Sequence, residues 1–177
     1  MAEPQLGGDT CEIGAVVVGD CEFFKNHGEL MYAFNNANGG EMGPLNNSTD
    51  EDVAKIIINL ECAALDRWGK GDPSGFLEIS ASDIVYFDPN LERRIDGHEA
   101  LAHYYEPIQG EILYERFELL NPKVQVIGDA AVLTFNYISY NASGQQSPWN
   151  CTEVYRWTDG KWMIVETHWS YTKSVKV

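Results

Sequence analysis

Asp88 stands immediately before Pro89, at the end of the run Asp83-Ile84-Val85-Tyr86-Phe87-Asp88. Its carboxylate can act as a general base, or it can cap the turn that Pro89 opens. Glu166 and His168 are two residues apart in Val165-Glu166-Thr167-His168-Trp169-Ser170. On a strand both side chains point to one face, shared with Trp162, Ile164 and Ser170. A carboxylate beside an imidazole can orient it for proton transfer, and a histidine hydrogen-bonded in or beside a pocket is the alternative. Ser170 is not read as a nucleophile, because no strained elbow surrounds it. His98 and His103 are five residues apart, a poor spacing for shared ligation on a helix. Asp96, His98 and Glu99 sit at a helix start, where acids and caps are expected anyway. Cys11, Cys21, Cys62 and Cys151 contain no CxxC spacing, so zinc is not indicated. No metal and no cofactor are expected.

These residues need elements to position them. Ser48 with Glu51 reads as a capping box, and the acids Asp50, Glu51 and Asp52 suit the positive end of a helix dipole. Val53, Ile56, Ile57, Leu60, Ala64 and Trp68 recur at helical spacing behind it. Gly69 and Gly71 end that helix. Asp72-Pro73 opens a shorter one through Phe76, Leu77 and Ile79. Residues 83–88 read as a strand stopped by Pro89. Ile95-Asp96-Gly97 reads as a turn, and residues 98–108 as a third helix with Leu101, Tyr104 and Tyr105 on one side. Four strand-like stretches follow: 111–120, 123–140 (broken at Gly128-Asp129), 148–157 and 161–171. Gly128-Asp129 and Thr158-Asp159-Gly160 are hairpin turn chemistry. Helices first and an antiparallel meander last predict an α+β domain over residues 49–173, with a short tail at 174–177. Residues 1–48 read as a loop-rich or partly docked extension, because Asn35-Asn36-Ala37-Asn38-Gly39-Gly40 cannot bury a core. The aromatics Phe23, Phe24, Tyr32 and Phe34 could form a short helix there.

The composition excludes several classes. Twelve basic residues face twenty-seven acidic ones among 177, for a formal charge of -15. Such a surface repels phosphate backbones and anionic lipid, so neither nucleic acid nor membrane is an expected partner. No apolar run approaches the roughly 18 residues of a membrane helix. Ala15-Val16-Val17-Val18 lacks a basic flank, so no signal peptide is expected. Cys11 and Cys21 could pair in an oxidising compartment. Reduced thiols in a cytoplasmic protein are the simpler reading. A hydrophobic share of 44% with 12% aromatics supplies a real core. Trp68, Phe76, Tyr86, Tyr104, Phe117, Phe135, Tyr137 and Trp149 are its aromatic stock. Those that line a pocket would suit a small flat apolar or ring-containing ligand.

The order of motifs resembles the nuclear-transport-factor-2-like superfamily, of the SnoaL-like and ketosteroid-isomerase-like type. A long helix is followed by Trp68-Gly69-Lys70-Gly71-Asp72, a strand ending Phe87-Asp88-Pro89, a Gly97-led helix and the meander. Leu120-Asn121-Pro122, Gly128-Asp129, Thr152-Glu153-Val154-Tyr155-Arg156, Asp159-Gly160-Lys161-Trp162 and the 165–170 strand resemble the association domain of calcium/calmodulin-dependent protein kinase and its bacterial stand-alone relatives. The resemblance implies a cone-shaped, cystatin-like roll, three helices packed on a curved, mostly antiparallel sheet around a pocket. It implies a homodimer through the sheet, or a larger ring, and no kinase activity. Asp88 matches the catalytic aspartate of ketosteroid isomerases, which pair a carboxylate base in an apolar cavity with an oxyanion donor. The residues this points to are Asp88, His168 and Tyr104 for catalysis, with Trp68, Phe76, Tyr86, Phe117, Phe135, Tyr137 and Glu166 lining the pocket. Tyr86, Tyr105 and Tyr137 are further candidate donors. The implied function is proton transfer on a small molecule, as an isomerase, cyclase or dehydratase; a non-catalytic association module is the alternative. Three positions depart from the relatives. Ala64 replaces the oxyanion tyrosine, and Ala102 and Ile138 replace two arginines of the kinase domain.

Overall fold

A computed structural model describes Val16–Val18 and residues 48–172. The Cys11–Cys21 alternative, the aromatic segment and the Asn-rich run all lie outside the described residues. Helix α1 spans Asp50–Trp68, and its N-cap is Thr49. The Asp52 N–H donates to the Thr49 hydroxyl at 3.2 Å, and the Thr49 N–H donates to the Asp52 carboxylate at 3.1 Å. The capping box is therefore Thr49–Asp52, one residue beyond the Ser48–Glu51 pair expected. Both pairs have the same spacing, and the overlapping run Ser-Thr-Asp-Glu-Asp hides the choice. The buried face of α1 carries Val53, Ile57, Cys62, Ala64 and Leu65, and also Glu61.

The helix ends on two glycines for different reasons. A side chain at Gly69 would run into the ring of Tyr114, whose hydroxyl donates to the Leu65 carbonyl. Gly71 has φ +78° and backs onto the Gly110 backbone, where a Cβ would sit 2.8 Å from Cα. Arg67 then ties the helix end to α2 (Ser74–Ile79). Its guanidinium donates to Asp72 at 2.7 Å and to Glu78 at 2.8 and 3.0 Å.

The remaining elements are β2 (Ser80–Phe87), β3 (Ile95–Asp96), α3 (His98–Tyr105) with a 3-10 turn at Glu106–Ile108, β4 (Arg116–Ile127), β5 (Ala130–Tyr140), β6 (Gln146–Thr158) and β7 (Lys161–Tyr171). Val16–Val18 forms β1. The strands make one seven-stranded sheet in the order β1-β4-β5-β6-β7-β2-β3. All pairings are antiparallel except β2 with β7. The expected α+β roll is the observed one, with helices on one face of a curved sheet.

Local differences have local causes. The third helix stops at Tyr105 because Pro107 has no N–H to continue it. Ile95-Asp96 is not a free turn but pairs with Tyr86 and Val85 of β2. The stretch 111–114 is held on the end of α1 instead of in the sheet, with Tyr114 N–H donating to the Gly69 carbonyl at 3.1 Å. The sheet takes over at Glu115, whose N–H donates to the Tyr140 carbonyl at 2.8 Å. Strand β4 runs through Asn121-Pro122, which a register shift between Leu120 and Lys123 absorbs. Asn121 there has φ +50°.

The slip with the largest consequence lies in β7. Tyr155 pairs with Ile164 and Val154 with Glu166, so Val165 has no cross-strand partner. This β-bulge reverses the facing of everything after it. Trp162 and Ile164 are buried before the slip, and Thr167 is buried after it. Glu166 and His168 are exposed. The expected common face of Trp162, Ile164, Glu166, His168 and Ser170 does not exist. Inward residues from the other strands, Leu119, Leu133, Phe135, Tyr137 and Tyr155, meet α1 and α3 to form the core. Among the described residues no helix is long and apolar enough to cross a membrane.

The glycine contacts set a comparison. Gly71→Ala adds a left-handed alanine and a backbone clash, and should lower unfolding free energy by about 2 kcal/mol or more. Gly128→Ala has the same φ problem at +64° but open space around it, and should cost about 1 kcal/mol. Urea unfolding of the two variants measures the difference; equal losses would refute the close approach at Gly110.

Candidate functional site

The end of β2 brings three of the expected residues together. Ile84, Tyr86 and Asp88 alternate toward the helices, and Tyr86 is buried. Helix α3 places Tyr104 opposite. The Tyr104 hydroxyl donates to Asp88 Oδ2 at 2.7 Å, and the Tyr86 hydroxyl donates to the same oxygen at 3.1 Å. The other oxygen, Oδ1, accepts the Asn90 backbone N–H at 2.6 Å. Asp88 therefore caps its turn and also gathers two phenols. The sequence reading posed these roles as alternatives. Burial, and then the Asp88 carboxylate, hold the Tyr104 phenol well above its ordinary range.

Aromatic rings line this end of the sheet. Trp169, turned inward by the bulge, is half-buried and meets Phe135, Tyr137 and Trp149 edge-on at 5.6, 5.8 and 6.3 Å. Trp149 lies 4.4 Å from Tyr171. The Tyr171 hydroxyl donates to Asn90 Oδ1 at 3.3 Å. The mouth of the roll is thus the half-buried Asp88 carboxylate with Tyr104 and Tyr86, linked through Asn90 and Tyr171 to the Trp149 and Trp169 rings.

The other expected residues lie elsewhere. His168 is on the outer face, stacked on Phe87 at 5.4 Å, its parallel partner in β2. Glu166 is outward too, so neither converges with Asp88. Trp68 is half-buried and packs edge-on against Phe76 and Tyr105 at 5.7 and 5.1 Å. Phe76, Phe117, Phe135 and Tyr137 are buried core residues. On the outer face of β5 and β6, Asn121, Thr134, Asn136, Asn150 and Thr152 line an open depression. There the Asn136 amide donates to Asn150 at 2.7 Å.

Behind the mouth lies a polar cluster that the sequence reading missed. Tyr105 is buried between Tyr86, Tyr104 and Trp68. Its phenol interacts with Tyr86 and feels the charge of Glu153. Glu153 on β6 and Glu61 on α1 are both fully buried. The Tyr155 hydroxyl lies 2.9 Å from Glu153 and 3.3 Å from Glu61, and Thr167 donates to Glu153 at 3.2 Å. Burial raises both carboxyls above the ordinary range. Two signals could have found them. Glu61 falls one turn after Ile57 on the buried stripe of α1. Glu153 alternates in phase with Cys151 and Tyr155. Among the described residues no group of three or more His, Cys, Asp or Glu side chains could hold a metal ion.

Known proteins match this architecture. The SnoaL-like domain model matches residues 63–165. A candidate ketosteroid isomerase from Parabacteroides distasonis ATCC 8503 is 42% identical, with a TM-score of 0.61 over 75% of this chain and 95% of that one. Two more distant structures share the fold. One is a nuclear-transport-factor-2-like protein of unknown function from Pseudomonas putida KT2440, at 23% identity and TM-score 0.62 over 71% of this chain and 91% of that one. The other is the association domain of C. elegans calcium/calmodulin-dependent protein kinase II, at 22% identity and TM-score 0.60 over 71% of this chain and all of that one (100%). With a family model spanning more than half its length and a relative of this identity, the chain belongs to the SnoaL-like domain family.

Proposed function

We propose that the domain binds a small ring-containing molecule at the aromatic mouth and moves a proton on it, with Asp88 as the base. The observation that supports this most is the Tyr104–Asp88 hydrogen bond of 2.7 Å, whose turn the Tyr171–Asn90 contact joins to Trp149 and Trp169. A carboxylate next to a protonated phenol has both halves of an enolisation. The carboxylate accepts the proton from carbon, and the phenol donates to the oxygen where charge develops. The Tyr104 phenol stays protonated through neutral pH because burial and the Asp88 charge both disfavour its anion. His168 has no part in this scheme.

The 42% identical candidate ketosteroid isomerase suggests a probe. A ketosteroid with an unconjugated double bond gains ultraviolet absorbance when the bond moves into conjugation. Isomerisation by the wild type is expected, with Asp88→Asn slowing it by about 10²–10⁴-fold. Tyr104→Phe should slow it by about 10²-fold or more. His168→Ala should leave the rate unchanged. An unaltered rate in Asp88→Asn sinks the mechanism.

A second reading has its own support. All three donors that reach Asp88 come from the protein itself, as a purely structural cap requires. The association-domain likeness then points to self-assembly through the sheet. On this reading the outer face around Val132, Ile138 and Val154 meets a second copy. Light scattering should give twice the 19.9 kDa chain mass, and Val132→Glu should return it to one. A monomeric wild type refutes this reading.

A further inference from the structure

We infer that Glu61 and Glu153 hold one proton between them, and that this proton latches α1 to β6. The geometry carries the inference. Both carboxyls have no solvent exposure. They share one hydroxyl, Tyr155, at 3.3 and 2.9 Å. Glu153 has a second donor in Thr167, whereas Glu61 Oε1 is buried with no partner. The groups that face the pair come from every neighbouring element. They are Tyr105 of α3, Tyr114 before β4, Tyr137 of β5, Cys151 and Tyr155 of β6, and Thr167 of β7. None of them is a cation. Two carboxylates this close, out of water and without a counter-charge, cannot both ionise.

The donor count says where the proton resides. Glu153 accepts from Tyr155 and Thr167, so it is the better-stabilised anion. Glu61 is the acid and supplies Glu153 with a third donor. Burial and the Glu153 charge push Glu61 upward, in agreement with this assignment. When the proton leaves, two like charges face each other across the α1–β6 contact. The helix that closes one side of the roll then loses its polar tie to the sheet.

The sign of the pH effect follows. In the unfolded chain a glutamate releases its proton near pH 4.3, about its model-peptide value, whereas folded Glu61 keeps it. The native state therefore binds one more proton, and stability falls as pH rises from that point toward the folded value. Glu61→Gln keeps an amide donor and has no proton to lose.

Infrared spectroscopy and urea unfolding of the full chain test the latch. At neutral pH the wild type should show the carbonyl band of an undissociated acid, and Glu61→Gln should lack it. Across the window the wild-type unfolding constant should rise about tenfold per pH unit relative to Glu61→Gln. Absence of the band, or equal slopes, overturns the inference. Should Glu61→Gln fail to fold, the wild type alone decides. The band must then survive to a pH where surface carboxyls are ionised, and α1 amides must lose hydrogen-exchange protection as it disappears. A band that titrates with ordinary carboxyls overturns the assignment.

Discussion

A helix that closes on a sheet across two buried carboxyls can do so only while one of them stays neutral. Much of the interior is arranged around that demand. Tyr155 is fully buried in β6, where its hydroxyl can reach both acids. Thr167 must face inward to supply the second donor, and it does so only because Val165 is bulged out of the ladder. The same slip turns Trp169 toward Phe135 and Tyr137. One unpaired residue thus sets both the polar interior and the aromatic mouth.

The interior and the mouth differ chemically. The interior pair has two hydroxyl donors, no solvent exposure and, among the described residues that face it, no cation, which favours holding a proton. At the mouth Asp88 is half-buried and receives two phenols and a backbone N–H. Tyr105 touches both regions, through Tyr86 on one side and the field of Glu153 on the other.

Periodicity made the architecture legible. The stripe from Val53 to Trp68 marked α1, and the alternating runs with Gly128-Asp129 and Asp159-Gly160 marked the hairpins. Periodicity fails where one residue is added. From Trp162 onward strict alternation assigns Glu166 and His168 to the core. A single slip at Val165 instead sends Thr167 inward, with Trp169 half-buried behind it, and leaves Glu166 and His168 outward. The second pattern is the more apolar inside, so the signal was present, but a two-residue period cannot express it. The Asp88–Tyr104 contact was foreseeable only as a pair of types, because the approach of α3 to β2 is a tertiary fact. Glu61 and Glu153 stood in phase with buried positions but were passed over for a different reason. A charge inside an apolar stripe normally marks the solvent edge, and only the fold brings the second acid to the first.

The departures from the relatives gain meaning from this interior. The kinase association domain resembles the chain in motif order but carries arginines toward its pocket, and the matched positions here are Ala102 and Ile138. Ala102 is half-buried on α3 and brings no charge. Ile138 alternates with the buried Tyr137 and so looks outward from β5. Ala64, in place of the isomerases' tyrosine, is buried one turn beyond Glu61. With arginine at any inward position, the Glu61–Glu153 pair could ionise fully as a salt bridge and would need no proton. Without one among the described residues that face the pair, the proton takes the place of a counter-charge. The same absence bears on what can enter the mouth. A chain with a net charge of -15, an aspartate at the opening and acids behind it disfavours an anionic ligand at every depth. The neutral ring proposed as ligand is consistent with that charge.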